Sequence, residues 1–287
     1  MNNFVAAIVK PVFNGGDYVL RTPLAIQSAA TISEQITIHH YIANANCTDC
    51  TSKLIANLAA NKQLENYQIS HIIEPDSGMN DGLAKGFRRA LKSDANIYCY
   101  INAGNYFSPH AFDIVRETLA GNVDWVTSLN VLYNEKGELI NAILLFKYNN
   151  RLLSRGFYAT HLLFVQQEST FWSSKAMKLL DLSALAEYKL AGDYYIGHTF
   201  AKEKLELNIV NAWLGGFAIT SGQLSELYFN EYLEEFSSIR DNRSPIDFFK
   251  ELVAKIFLVP KYLRLRFLIN TLFNVRKDGF FSTLFYR

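Results

Sequence analysis

Over its first 120 residues the chain alternates short, β-branched apolar runs with helical patterns, and this alternation limits the folds open to it more than any other feature. The runs FVAAIV (Phe4–Val9), ITIHHYIA (Ile36–Ala43), YQISHII (Tyr67–Ile73) and NIYCYI (Asn96–Ile101) predict strands, and residues 19–30, 49–61 and 81–91 between them predict helices. Strands and helices in alternation imply βαβ units and a mostly parallel sheet flanked by helices. Ligands of such sheets bind outside the carboxyl ends of the strands. Four loops therefore become candidates: KPVFNGG, NANCTDCT, EPDSGMND and NAGNYFSP.

Beyond residue 121 the order changes. VDWVTSLNVLYNEKGELINAILLF reads as two strands joined by a turn at Asn134–Gly137, an antiparallel addition to the sheet. QQESTFWSSKAMKLL leads into one helix and LAGDYYIGHTFAKE into another, and LELNIVNAWL reads as a late strand. From Leu224 onward the sequence is helical and aromatic-rich, with Pro245 and Pro260 as helix starts or breaks. The expected division is a domain over 1–222 and a helical, basic-aromatic C-terminal extension over 223–287.

A chain of 287 residues, 49% hydrophobic, can bury the core of one large domain. Its formal net charge of +1 argues against a nucleic-acid binder, which would present a strongly basic face. The opening residues carry no basic region ahead of the apolar run, so no secretion signal is read there. No uncharged apolar stretch reaches the roughly 20 residues of a membrane span, and a cytoplasmic protein is expected. Three cysteines give no disulfide framework. Cys47 and Cys50 form a CxxC without the second ligand pair of a zinc site, which leaves two small residues in a loop entering a helix as the simpler reading.

The loops have a recognisable order. VKPVFNGGDYV, then ANANCTDCTSKLI, similar to a DGGSTDGT segment, then EPDSGMNDGLAKG, close to EPDKGIYDAMNKG, then QQESTFW and AGDYYIG, together resemble the family 2 glycosyltransferases of bacterial capsule and O-antigen assembly, over roughly residues 4–222. The resemblance implies a GT-A (Rossmann-like) α/β fold. It also implies transfer of one sugar, with inversion, from a nucleotide-diphosphate sugar to a saccharide or lipid-linked saccharide. The donor side would comprise Pro11, Asn14, Asn44, Asp49, Asp76, Gly78, Asp81, Lys85, Asn102 and Asn105; Gln167 and Glu168 would lie on the acceptor side, and Asp193 would be the catalytic base.

Chemistry agrees with several of these roles and leaves simpler ones open. Asn14, Asn44, Asp49, Asp76 and Asp81 are polar groups suited to a base and ribose, and Lys85, four residues after Asp81 on one helix face, can reach a phosphate. Equally, Asp81 or Asn80 can cap that helix while Lys85 pairs with Asp81. A carboxylate at a helix start, such as Asp193, can take the proton of an attacking hydroxyl or simply cap the helix. Gln167 and Glu168 can instead steady the turn before Phe171 and Trp172, and His198 reads as a packed histidine.

Two departures from the family pattern bear on metal binding. Asn44 stands where the family has the first aspartate of DGGSTDGT, and NAGN replaces NADD, so Gly104 and Asn105 take the place of two carboxylates that usually hold magnesium or manganese. A divalent metal then has no protein carboxylates there to hold it, transfer without added metal is expected, and Lys85, with Arg88 or Arg89, becomes the candidate for balancing charge on the diphosphate. The alternative function is an inactive GT-A-fold scaffold in a polysaccharide assembly complex. In the tail, Lys255, Lys261, Arg264, Arg266, Arg276, Lys277 and Arg287 stand against one acid, Asp278. With Leu265, Leu268, Ile269 and Leu272 on one helical face, this segment suits a peripheral contact with an anionic membrane. Packing onto the domain or onto a second subunit is its other reading.

Overall fold

The structure is a computed structural model that describes residues 4–33, 35–61, 64–145, 147–158, 165–220, 223 and 227–253. Four parallel strands, β1 (Phe4–Val12), β2 (Ile36–Asn44), β3 (Tyr67–Ile73) and β4 (Ile97–Tyr100), alternate with α1 (Arg21–Ile32), α2 (Thr51–Ala60) and α3 (Met79–Ala90). The chain continues through β5 (Tyr106–Phe107), α4 (Ala111–Ala120), β6 (Trp125–Thr127), β7 (Asn130–Tyr133), β8 (Leu139–Ile143) and α5 (Asn150–Ser154). There follow β9 (Phe171–Ser173), α6 (Ser174–Met177), α7 (Leu182–Glu187), α8 (Gly192–Lys202), β10 (Leu207–Ile209), β11 (Gly215–Ala218), α9 (Phe229–Ile239) and a helix over 245–253. The main sheet has seven strands in the order β10-β6-β9-β4-β1-β2-β3, parallel except for β9. The expected mixed, mostly parallel sheet flanked by helices is therefore the observed one.

Side-chain alternation along β1 builds both faces of the core. Val5, Ala7 and Val9 pack with Leu83, Ala84 and Phe87 of α3 and with Ile196 and Phe200 of α8. Ala6 and Ile8 point the other way, onto Ile26 and Ala29 of α1 and Phe112 and Val115 of α4. Helix α3 lies directly on β1 because Gly86 faces it: a Cβ there would sit 2.3 Å from Val9 Cγ1.

Three expectations are corrected. The helix expected from residue 19 begins as a 3₁₀ turn, Gly16–Leu20, and becomes α-helical only at Arg21. VDWVTSLNVLYN is two strands in different sheets: β6 belongs to the main sheet, whereas β7 joins a second sheet of order β5-β11-β7-β8. The chain breaks at Ser128, whose buried Oγ accepts a hydrogen bond from the Leu214 amide, so the β7–β8 hairpin adds to this second sheet. LELNIVNAWL holds only the three-residue β10, and β11 follows it. Pro245 opens a helix over 245–253, while Pro260 and the tail face through Leu265, Leu268, Ile269 and Leu272 lie outside the described residues.

One feature beneath the first loop costs stability. Lys10 is wholly buried and donates to the carbonyl of Val19, beside His40, whose Nδ1 meets the Tyr67 hydroxyl at 2.9 Å. Burial pushes the Lys10 ammonium down to about 7. The unfolded chain retains this proton between about pH 7 and 10.5, so stability rises with pH across that window and the full penalty is present below it. Replacement of Lys10 by Met is expected to raise the denaturation midpoint at pH 6 and to lose most of that advantage by pH 9.5, the change between these two pH values being on the order of 3 kcal/mol. Denaturant titrations of both proteins at the two pH values test this.

Candidate functional site

At the carboxyl end of the main sheet lies a cleft of about 1050 Å³. Its floor is Pro11 and Val12 at the end of β1 with Phe13 and Gly15 beyond it, Ala45 after β2, Asp76, Gly78 and Met79 at the entry to α3, and Asn102, Ala103 and Asn105 after β4. The second sheet supplies a wall through Asn130, Leu132, Ile143 and Phe217. Val165 to Glu168, Leu190, Asp193 and Tyr232 close the other side.

Eight of the residues singled out from the sequence meet in this cleft: Pro11, Asp76, Gly78, Asn102, Asn105, Gln167, Glu168 and Asp193. Asn14, Asn44, Asp49, Asp81 and Lys85 do not line it. They knit the loops beneath and beside it. Asn14 Oδ1 accepts from the Thr48 amide at 2.9 Å, and Asp49 accepts from the amides of Gly16 (3.1 Å) and Thr51 (2.9 Å). Asn44 spends its Oδ1 on the Cys47 amide and its Nδ2 on Ser52 Oγ and the His71 ring. Asp81 accepts from the Ser77 amide at 2.9 Å, and Lys85 binds Asp81 at 3.1 Å and the Pro75 carbonyl. The EPDSGMNDGLAKG segment is thus a self-bonded helix entry, and its lysine holds the loop. Arg88 reaches the Leu182 carbonyl. Among the described residues that line the cleft there is no lysine or arginine.

Two carboxyl groups dominate the far wall. Glu168 is buried, and its Oε1 accepts from Asn105 Nδ2 at 2.6 Å and Gln167 Nε2 at 2.9 Å. Burial, helped by the nearby Asp193 charge, pushes its carboxyl up to about 7. Asp193 sits at the start of α8, one residue after Gly192, where a Cβ would collide with Asn80 Oδ1 at 2.2 Å. Its Oδ1 accepts from the Tyr194 amide at 2.7 Å and the Tyr232 hydroxyl at 3.4 Å, and burial lifts its carboxyl to about 6. Asp76 is raised as well, chiefly by desolvation. His198 packs on Tyr194 and meets Asp241 at 3.3 Å, away from the cleft lining.

Sequence reasoning missed the frame of this wall. Gln166 brackets β7 by taking the Val131 amide at 2.8 Å and donating to the Val131 carbonyl at 2.9 Å. Glu235 of α9 accepts the consecutive amides of Lys189, Leu190 and Ala191 at 2.8, 2.8 and 2.9 Å, anchoring the segment that delivers Asp193. Tyr232 and Glu235 both lie beyond residue 222. The one available signal was the acidic, aromatic spacing of YFNEYLEEF, which does not reveal its target.

The residues at NAGN do not fit a protein-held metal. Gly104 has no side chain, and the Asn105 amide is consumed, its Oδ1 by the Ala218 N–H at 2.9 Å and its Nδ2 by Glu168. Among the described residues no group of three or more histidine, cysteine or acidic side chains is arranged to hold an ion. Cys47 and Cys50 are free thiols, and Cys47 Sγ takes the Asn14 amide at 3.1 Å.

The sequence matches no protein-family model and no curated protein. Solved structures do share the fold, and the class they define is the GT-A glycosyltransferase fold. TarS of S. aureus matches with a TM-score of 0.55 at 11% identity over 84% of this chain, which spans only 41% of TarS. Residues 1–349 of TarS in complex with UDP-GlcNAc give 0.58 at 10% identity, covering 84% of this chain and 69% of that one. The mannosyltransferase PcManGT from Pyrobaculum calidifontis, in complex with GDP-Man and Mn²⁺, gives 0.53 at 13% identity over 88% of this chain and 69% of its own. At these identities the likeness is one of fold.

Proposed function

We propose that the protein is an inverting glycosyltransferase that moves one sugar from a nucleotide-diphosphate sugar to a saccharide or lipid-linked saccharide in bacterial surface polysaccharide synthesis, acting at the inner face of the cell membrane. The observation that carries this reading is Asp193: a cleft-lining carboxyl with Oδ1 held by Tyr194 and Tyr232, and Oδ2 without a hydrogen bond to any described residue. In the reaction, Oδ2 takes the proton of an acceptor hydroxyl as that oxygen attacks the anomeric carbon. The bond from that carbon to the diphosphate breaks, and its electron pair leaves with the nucleoside diphosphate.

The donor side is proposed to be the floor: Pro11, Asp76, Gly78, Asn102 and Ala103, with Asn14, Asn44, Asp49 and Asp81 shaping the loops and Lys85 bracing the entry to α3. The Gly78 amide is taken by Asp76 Oδ1 at 3.1 Å, but Gly78 as N-cap offers no side chain to the first turn of α3, so the positive end of the helix at the cleft-lining Met79 favours an anionic group there. Glu168 and Gln167 form the acceptor side, with the buried Glu168 partly protonated near neutral pH and so less repulsive to substrate oxygens than a full carboxylate.

The amide substitution at Asn105 also favours a second reading, a scaffold that keeps the cleft without turnover. A screen of UDP- and GDP-sugars for release of the free nucleoside diphosphate separates the two. The transferase reading expects slow, saturable release from at least one donor. A protein that binds a donor but releases nothing, even with short oligosaccharide acceptors present, is the scaffold.

A further inference from the structure

The helix over 245–253 is turned inside out. A surface helix normally hides its apolar stripe and shows its charges. Here Asp247 and Glu251, one turn apart, are the buried residues, whereas Ile246, Phe248, Phe249, Leu252 and Val253 face outward, with Phe249 65% exposed. The charged face is specifically held. Asp247 pairs with Arg151 at 2.5 Å and Arg155 at 2.7 Å, and Glu251 pairs with Arg243 at 3.4 Å. Asp247, at the third helical position, reaches back to accept from the Ser244 amide at 2.8 Å and the Ser244 hydroxyl at 2.6 Å, with Pro245 at the first helical position. Hydrogen bonds from Arg151 and Ser244 hold the Asp247 carboxyl below the usual carboxylate range. The ion pairs fix the helix's rotation, so its apolar face points outward by construction.

We infer that this face docks on an anionic lipid surface. The polypeptide that continues from it supplies the charge: residues 255–287 contain seven lysines and arginines and one aspartate among many apolar residues. Basic side chains near an anionic bilayer attract it, and an adjacent apolar helix face enters the headgroup boundary. A second copy of the chain is disfavoured as the occupant, since each copy would bring the same seven positive charges to the shared surface. No helix of the described residues is long and apolar enough to cross a membrane. The inference stands independently of the proposed catalysis.

Flotation of the full chain tests it, with vesicles of phosphatidylcholine alone and of phosphatidylcholine mixed with phosphatidylglycerol, at low and high salt. The comparison is a Phe248→Ser, Phe249→Ser double variant, whose changes fall on exposed positions and whose fold is checked by circular dichroism and melting. The intact chain is expected to float with the mixed vesicles, less so at high salt, and the variant to partition on the order of tenfold more weakly. Equal flotation of the two proteins would show that residues 254–287 act alone or cover the face themselves. Absence of flotation, or light scattering showing a dimer that the variant abolishes, would overturn the inference equally.

Discussion

Replacing Asp193 by Asn is expected to lower transfer by at least about 100-fold while leaving donor affinity within a few-fold, because the amide keeps the shape of the carboxyl and loses its basicity. That factor corresponds to about 2.7 kcal/mol of barrier. The carboxyl lies at about 6, and a base works only when deprotonated, so wild-type kcat/KM is expected to rise with pH through this region and then level. Glu168, pushed up to about 7 chiefly by burial with a smaller contribution from the Asp193 charge, stands beside it in the same wall. In the Asn variant the residual rate should lose the Asp193 portion of the profile. Steady-state kinetics across pH 5 to 9 checks both statements, and unchanged turnover would remove Asp193 from the mechanism.

Loss of the Glu235 carboxylate is the second large effect. Three consecutive amides ahead of α8 donate to it. Charge-assisted bonds of this kind are about twice as strong as neutral ones. Glu235→Ala would leave these N–H groups unpaired and free the segment from Leu190 to Asp193. The expected outcome is a fall in kcat of roughly 10- to 100-fold with KM for the donor little changed, since misplacement of a base by about 1 Å costs this much. Glu235→Asp, which keeps the charge on a shorter arm, should recover part of the loss. A stability defect without the kcat-selective loss would reduce Glu235 to a packing role.

The half of the fold built by local pattern was legible in the sequence. Runs such as YQISHII are β-branched, bounded by turn residues and paired with their neighbours in sequence order, so pattern and topology agree. What escaped was built from contacts distant in sequence. β5, β9 and β11 are two to four residues long, too short to show a period, and exist because Phe107, Phe171 and the Gly215–Gly216 pair find partners far along the chain. Gly215 illustrates the point: a Cβ there would lie 1.9 Å from the Glu168 carbonyl oxygen, a constraint no local reading contains.

The site was legible by residue type and much less by role. Asp76, Glu168 and Asp193 were named from loops that do converge. Lys85 was expected at the phosphates because its spacing from Asp81 puts both on one helix face, yet that same spacing lets the two pair with each other, and the Pro75 carbonyl completes the lysine's coordination. Asn105 was noted for the carboxylate it lacks. Its bonds to Ala218 and Glu168 join β11 to the Glu168 wall of the cleft, so here the position serves architecture.

The central claim is that the cleft receives a nucleotide-diphosphate sugar. Calorimetric titration of the protein with UDP- and GDP-hexoses, first in EDTA and then with magnesium or manganese added, measures it without requiring an acceptor. The account predicts saturable 1:1 binding of at least one donor in EDTA, weakened on the order of tenfold by Asp76→Ala, which removes a polar contact from the cleft floor. Absence of binding by every donor under both conditions would contradict it.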